Sequence, residues 1–278
     1  MEKRILTVQD VSCVGQCSLT VALPIISACG IETAILPTGI LSTHTAGFTG
    51  FTVLSMTDEI AKIMKHWAKE NITFDAIYTG YILKDQMPLI GELCKKFNRG
   101  YKIIDPVMAD NGNFYYGFDE NFAKEMLSLC RDADIILPNL TEAAFLLKEK
   151  PVLEGYDEKY IIDLMKKLQD KTNAKNVVLT GVSFEPNLLG VAVLKKGDKT
   201  PNYYFGERIK RNFHGTGDIY SSAVVGAFLN GKSVFESAKI AVDFTVKCMK
   251  NTIDDADKHF YGVFFEQLLS NLAEAVKK

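Results

Sequence analysis

Apolar residues recur along the chain with two alternating periods. Short runs rich in β-branched residues read as strands at 4–10 (RILTVQD), 32–39 (ETAILPTG), 75–82 (DAIYTGYI), 101–108 (YKIIDPVM), 132–139 (DADIILPN) and 176–181 (NVVLTG). Helical spacing fills the intervals: 18–30 stops at a glycine, 56–70 (MTDEIAKIMKHWAKE) follows the second strand, and a helix after 82 runs to about Asn98. Strands and helices alternating at this spacing predict an α/β fold: a three-layer αβα sandwich around a central, mostly parallel sheet. Two regions break the rhythm. Residues 39–55 (GILSTHTAGFTGFTVLS) read as a long loop, either a substrate lid or a plain surface segment. Residues 190–209 read as a hairpin with a polar turn at Lys196–Thr200. No repeat, linker or low-complexity stretch divides the chain, so 1–278 is expected to form a single domain.

Composition narrows the partners. The 278 residues are 47% hydrophobic and 24% charged, with a formal net charge of −2. No basic excess is present to neutralise a nucleic-acid backbone or an acidic membrane, so small molecules or further copies of the chain are the expected partners. The six cysteines (Cys13, Cys17, Cys29, Cys94, Cys130, Cys248) form no C-x-x-C pair and have no accompanying His cluster. Reduced, mostly buried thiols of a cytoplasmic protein are expected. The N-terminal apolar run ends at Asp10, too early for a signal peptide, and no apolar stretch is long enough to span a bilayer.

In an open α/β sheet, ligands gather beyond the carboxyl ends of the strands. Polar residues stand there: Asp10, Thr79–Tyr81, Asp105, Asn139 and Thr180. Two further strings could cradle a phosphate. GAFLNGKS (226–233) matches the P-loop pattern, but no strand precedes it. Ile219, Ala223, Val224, Ala227 and Phe228 instead follow one helix face, Gly231 falls where a helix ends, and Ser233 and Glu236 have capping-box spacing. The string therefore reads as a helix–helix corner. HGTGD (214–218) follows an irregular stretch and opens that helix near Asp218. Its glycines would let the N–H groups of Gly215, Thr216, Gly217 and Asp218 converge on an anion. On local physics it reads equally as a glycine-rich turn with Asp218 as N-cap.

Several strings together decide between these readings. FHGTGDIYSSAVVGAFLNG resembles the G-T-G-D signature of the ribokinase-like kinases. IIDPVMADNG (103–112) is similar to the D-P-V-M segment of vitamin B6 and hydroxymethylpyrimidine kinases, PNLTEA (138–143) to their N-x-x-E motif, and VLTG (178–181) to their nucleotide-side strand end. LSTHTAG (41–47) and YTGYI (78–82) resemble the substrate loop and T-G-Y turn of pyridoxal kinases. The resemblance runs in order over about residues 4–250.

That resemblance implies a ribokinase-like fold and transfer of the ATP γ-phosphoryl group to a hydroxymethyl group on a small heterocycle. It implies Asp218 as base and the backbone of Gly215, Thr216 and Gly217 as the anion hole. Asp105, Asp110, Asn139, Glu142 and Thr180 fall on the ATP side, with Asp105 and Glu142 as candidates for Mg2+ or another divalent cation. Asn139 and Glu142 read equally as a helix cap and a first-turn acid. K+, which activates many relatives, is a further candidate. Asp10, Leu41, His44, Thr45, Tyr81 and Asp218 fall on the acceptor side, with His44 read equally as a structural residue. Asp10 stands where pyridoxal kinases usually carry a Ser against the pyridine ring, and Leu41 where an aromatic often packs; a carboxylate there would favour a protonated ring nitrogen. The first expectation is a vitamin B6 kinase, a homodimer as its relatives are. Alternatives are a hydroxymethylpyrimidine kinase and a non-catalytic nucleotide- or vitamer-binding protein on the same scaffold. At its ordinary value near 4, an Asp carboxylate is a weak base, so Asp218 would chiefly orient the hydroxyl.

Overall fold

A computed structural model describes residues 3–277. In chain order its strands are β1 (Arg4–Ser12), β2 (Glu32–Leu41), β3 (Val53–Ser55), β4 (Phe74–Thr79), β5 (Asn98–Ile104), β6 (Ala109–Asp110), β7 (Asn113–Phe114), β8 (Ile135–Ile136), β9 (Asn176–Val182), β10 (Leu188–Lys195) and β11 (Asn202–Glu207). Its helices are α1 (Leu19–Ala28), α2 (Thr57–Lys69), α3 (Met87–Phe97), α4 (Glu120–Leu129), α5 (Leu140–Leu146), α6 (Glu158–Thr172), α7 (Thr216–Leu229), α8 (Val234–Thr252) and α9 (Leu269–Lys277).

Nine strands form one sheet in the order β11-β10-β9-β8-β5-β4-β1-β2-β3. From β9 through β2 every neighbouring pair is parallel, and β3, β10 and β11 add antiparallel edges. The interior strand β1 is buried along most of its length, as both of its faces are covered. One apolar layer packs α2 to α6 on one face, with Ile60, Leu93, Phe122, Leu146 and Leu164 among its side chains. The other packs α1, α7, α8 and α9 through Ile25, Val224, Ala241 and Leu272. This is the three-layer sandwich the periodicity predicts. No helix among the described residues is long and apolar enough to cross a membrane.

Several boundaries differ from the expectations: β4 ends at Thr79 rather than 82 and β5 at Ile104 rather than 108. The strand expected over 132–139 pairs as β8 for two residues only. The Asp134 carboxylate accepts from Lys102 N–H (2.7 Å) and pairs with Lys175 (2.7 Å), and Pro138 lacks the N–H needed to extend the ladder. The 39–55 loop carries the edge strand β3, whose Val53–Ser55 returns along Gly39–Leu41. The helix expected from about Asp218 begins at Thr216, with Gly215 rather than Asp218 as its N-cap.

The string GAFLNGKS is a helix–helix corner. Gly231 takes φ +94°, donating to Phe228 O, while Lys232 N–H reaches Ala227 O at 3.3 Å. Ser233 and Glu236 exchange backbone and side-chain hydrogen bonds of 3.0 and 3.2 Å, opening α8. Gly226 lies against α1, where a Cβ would stand 2.4 Å from Cys29 Sγ.

Candidate active site

The parallel strands run toward one edge, and their ends deliver Asp10 from β1, Asp105 from β5 and Thr180 within β9. Asn139 forms a lone parallel bridge with Thr180, so those two meet directly. Asn139 then caps α5: its Oδ1 accepts from Glu142 N–H and Glu142 Oε2 accepts from Asn139 N–H, both at 2.9 Å. The other Glu142 oxygen accepts from Met108 N–H at 3.1 Å. The Asn139–Glu142 pair is thus a capping box whose acid also ties down the turn after β5. Asp105 is buried and accepts from Ser221 Oγ at 2.7 Å. Ser221 lies one turn beyond Asp218 on α7, so that helix presents two side chains to this edge.

At the start of α7, Gly215 takes φ +76° and its Cα faces Gln16 O, where a Cβ would stand only 1.9 Å away. Only glycine fits. A Cβ on Gly217 would meet no atom within 4 Å beyond its own helix backbone and chain neighbours, so a side chain has room there. Helix geometry leaves the N–H groups of that turn without intrahelical partners, at the positive end of the helix dipole.

None of the buried acids Asp10, Asp105 or Glu142, nor Asp218, is paired with a Lys or Arg among the described residues. Their electrostatics follow. Burial pushes Asp218 up to about 7, against relief from the Ser18 N–H and with a further push from Asp10. Burial raises Asp105, eased by Ser221 and reinforced by Asp218. Glu142 is raised by burial and by Asp105, despite its backbone donors. Asp10 is raised by burial, with the hydroxyls of Ser18 and Ser12 pulling the other way. Such a cluster gains from any cation or proton that enters it. It also departs from the ordinary Asp value near 4 expected for Asp218, because burial raises this carboxyl to about 7.

The residues suit a divalent cation only in company. No group of three or more His, Cys, Asp or Glu side chains among the described residues is close enough to hold one. Glu142 has both oxygens engaged by backbone donors, whereas Asp105 has one oxygen free of a hydrogen bond to the protein. That donor set fits an ion bound mostly by phosphates and water, with Asp105 supplying charge directly and Glu142 from behind.

On the acceptor side, Tyr81 follows Gly80, whose missing side chain seats Gln9; a Cβ there would lie 2.7 Å from the Gln9 amide carbon. Thr38 Oγ1 donates to Tyr81 O at 2.9 Å, and the ring packs on Phe118 with centroids 5.2 Å apart. Burial and then Asp10 raise its hydroxyl to about 12. Leu41 is buried where β2 meets β3. His44 is buried as well, whereas Thr45 lines an open cleft of about 610 Å³ with Phe51 and, just after β7, Tyr115 and Tyr116. Asp110 ends β6, its carboxylate accepting from Asn111 N–H at 2.8 Å, and with Asp105, Glu142 and Asp218 it acts on Tyr115.

Three residues of this edge escaped the sequence reading. Ser221 had a signal, its three-residue spacing from Asp218. Tyr115 feels the charges of Glu142, Asp110, Asp218 and Asp105, yet nothing in NGNFYYG marks one tyrosine over the other. Ser18 has φ 55° and ψ −129°, a strained backbone for a residue with a Cβ, and sets its N–H against Asp218 and its hydroxyl against Asp10. No sequence rule anticipates a serine there.

Comparisons with known proteins identify the family and the fold. The phosphomethylpyrimidine kinase family matches residues 22–261. A crystal structure from Bacteroides thetaiotaomicron, assigned as a phosphomethylpyrimidine kinase and determined with pyridoxal, superposes with a TM-score of 0.92 at 33% identity, covering 98% of this chain and 96% of that one. The pyridoxal kinase of Lactobacillus plantarum gives 0.90 at 28% identity, covering 98% and 97%. A bifunctional thiamine-biosynthetic enzyme of Oryza sativa subsp. japonica is 24% identical over 272 residues, 90% of this chain; the chain spans 45% of that relative's length.

Proposed function

We propose, for a chain that belongs to the phosphomethylpyrimidine kinase family and is thereby a phosphotransferase, that it moves the γ-phosphoryl group of ATP onto the hydroxymethyl group of a B6 vitamer. The observation that carries this reading is the start of α7, where one turn joins Asp218 to an open row of backbone N–H groups. Phosphoryl transfer through a loose transition state needs alignment and charge stabilisation more than covalent chemistry. Asp218 would accept the hydroxyl proton and hold the oxygen in line, while the Gly215–Gly217 amides take up charge on the transferring group. The ATP phosphates would lie toward Asp105, Asn139, Glu142 and Thr180. A divalent cation bound with them would offset charge that these acids cannot. Tyr81, Thr45 and Leu41 would bound the heterocycle, with Asp10 beneath it.

A B6 vitamer is favoured over a pyrimidine because the two solved relatives above are, respectively, bound to pyridoxal and named a pyridoxal kinase. Hydroxymethylpyrimidine is the second reading, favoured by the family's description and by the rice relative.

The test is ADP release with pyridoxal, pyridoxamine, pyridoxine and hydroxymethylpyrimidine in turn, with Asp218→Asn as control. Asp218→Asn is expected to lose on the order of 10²–10⁴ in kcat while still binding both substrates. Turnover of no vitamer would sink the reading; a preference for hydroxymethylpyrimidine would move it to the second. Asp10→Ser in the same panel should reorder the vitamers by basicity. An unchanged ranking would release Asp10 from any part in selection.

A further inference from the structure

We propose that His44 is a positioning residue, the latch of a clasp through which the segment following α8 holds the acceptor loop and the anion-binding turn in register. The inference rests on the reading that the acceptor binds beside residues 42–52. Both ring nitrogens of His44 are committed to backbone groups. Nδ1 accepts from Ala46 N–H at 3.2 Å, which assigns the proton to Nε2, and Nε2 then donates to Tyr261 O at 2.8 Å. The ring is seated on Gly15, where a Cβ would stand 2.1 Å from Cδ2, and lies edge-on to Phe48 at 5.0 Å. An imidazole with no free nitrogen has nothing to offer a substrate. It fixes the path of the loop that carries Thr45.

The clasp extends further. Tyr261 O also accepts from Gln16 N–H at 3.1 Å, and the Gln16 amide donates to Glu266 at 2.5 Å. The carbonyl of that same Gln16 is what packs against Gly215. Phe260 meets Phe48 at 5.2 Å, and Asp257 pairs with Arg211 on the stretch leading into the anion turn. His214, the residue before Gly215, closes the circuit at 5.6 Å from His44. One short segment, 257–266, therefore touches the acceptor loop, the β1–α1 loop and the approach to α7.

His44→Phe keeps the ring and deletes both hydrogen bonds; His44→Gln retains a donor and an acceptor. Hydrogen exchange at the Ala46 amide, and steady-state KM for acceptor and for ATP, are the readouts. His44→Phe is expected to speed Ala46 exchange and raise the acceptor KM by about tenfold, with the ATP KM within about twofold, and His44→Gln to recover part of both. Asp257→Ala, at a side chain 93% exposed and so harmless to folding, should speed exchange in 42–52 more weakly. Unchanged exchange in His44→Phe and Asp257→Ala would overturn the clasp. A fall in kcat alone, with KM unmoved, would overturn it in favour of proton transfer by His44. The exchange arm needs no turnover, so the clasp and the kinase reading fail separately.

Discussion

The two ends of α7 look alike as text and differ as structure. Each carries two glycines, small polar residues and a charged group, and each resembles a phosphate loop. At the N-terminal end, Gly215 is forced by contact, because a Cβ there would stand 1.9 Å from Gln16 O, whereas Gly217 has room for a side chain. At the C-terminal end, the N–H groups of Gly231, Lys232, Ser233 and Glu236 are already bonded. Gly231 and Lys232 satisfy the last carbonyls of α7, and Ser233 and Glu236 satisfy the first amides of α8. A loop binds an anion with the N–H groups it has left over, so the accounting of donors separates the two strings where pattern matching does not.

The sharpest way to break this contrast is Gly217→Val. Because the position is open, the variant should fold with a Tm within about 2 °C of the parent, yet its side chain would fill the space before the donors. Activity should fall by about 10³ or more, the scale on which lost oxyanion donors are felt. A Tm loss that matches the activity loss would mean the glycine serves packing, and the asymmetry between the two ends would vanish.

Next in size is the pH dependence of stability. The Asp218 carboxyl is lifted from 3.8 to about 7 in the fold, so its favourable contribution is present below about pH 4 and lost as pH rises through 7. The upper limit is ~4 kcal/mol, reduced by whatever water reaches the group. Asp218→Asn should therefore raise Tm by several degrees at pH 8 and leave it nearly unchanged at pH 4. Equal Tm at both pH values would show that the carboxylate is well solvated. The contrast would then rest on the N–H groups alone.

These tests also mark where the sequence was legible. The alternation of strands and helices determined the layers, because strands covered on both faces carry apolar residues at successive positions, as Ile5–Leu6, Ile103–Ile104, Ile135–Ile136 and Val177–Leu179 do. The edge residues Asp10, Asp105 and Asn139 were legible because parallel strands share one direction. What stayed hidden depends on packing across long sequence separations. The Tyr261 carbonyl that holds His44 lies 217 residues away, and Ser221 meets Asp105 across 116. The raised pKa values were hidden for the same reason: burial of four acids without a paired Lys or Arg is a property of the assembled edge and of no single motif.

The smallest expected effect is the most direct challenge to the P-loop reading. Lys232→Ala should leave the KM for ATP within about twofold. Fourteen residues of α7 at 1.5 Å each place Lys232 roughly 21 Å from the anion turn, several times the reach of a lysine side chain. Its N–H is already bonded to Ala227 O, and its charge acts on Glu236, whose carboxyl is held low first by Ser233 and then in part by Lys232. Substitution removes a partly exposed cation from a helix corner, which costs a few tenths of a kcal/mol at most. A tenfold rise in the ATP KM could not arise through 21 Å of intact helix. It would require phosphate to bind at the corner, and α7 would then have its ends exchanged.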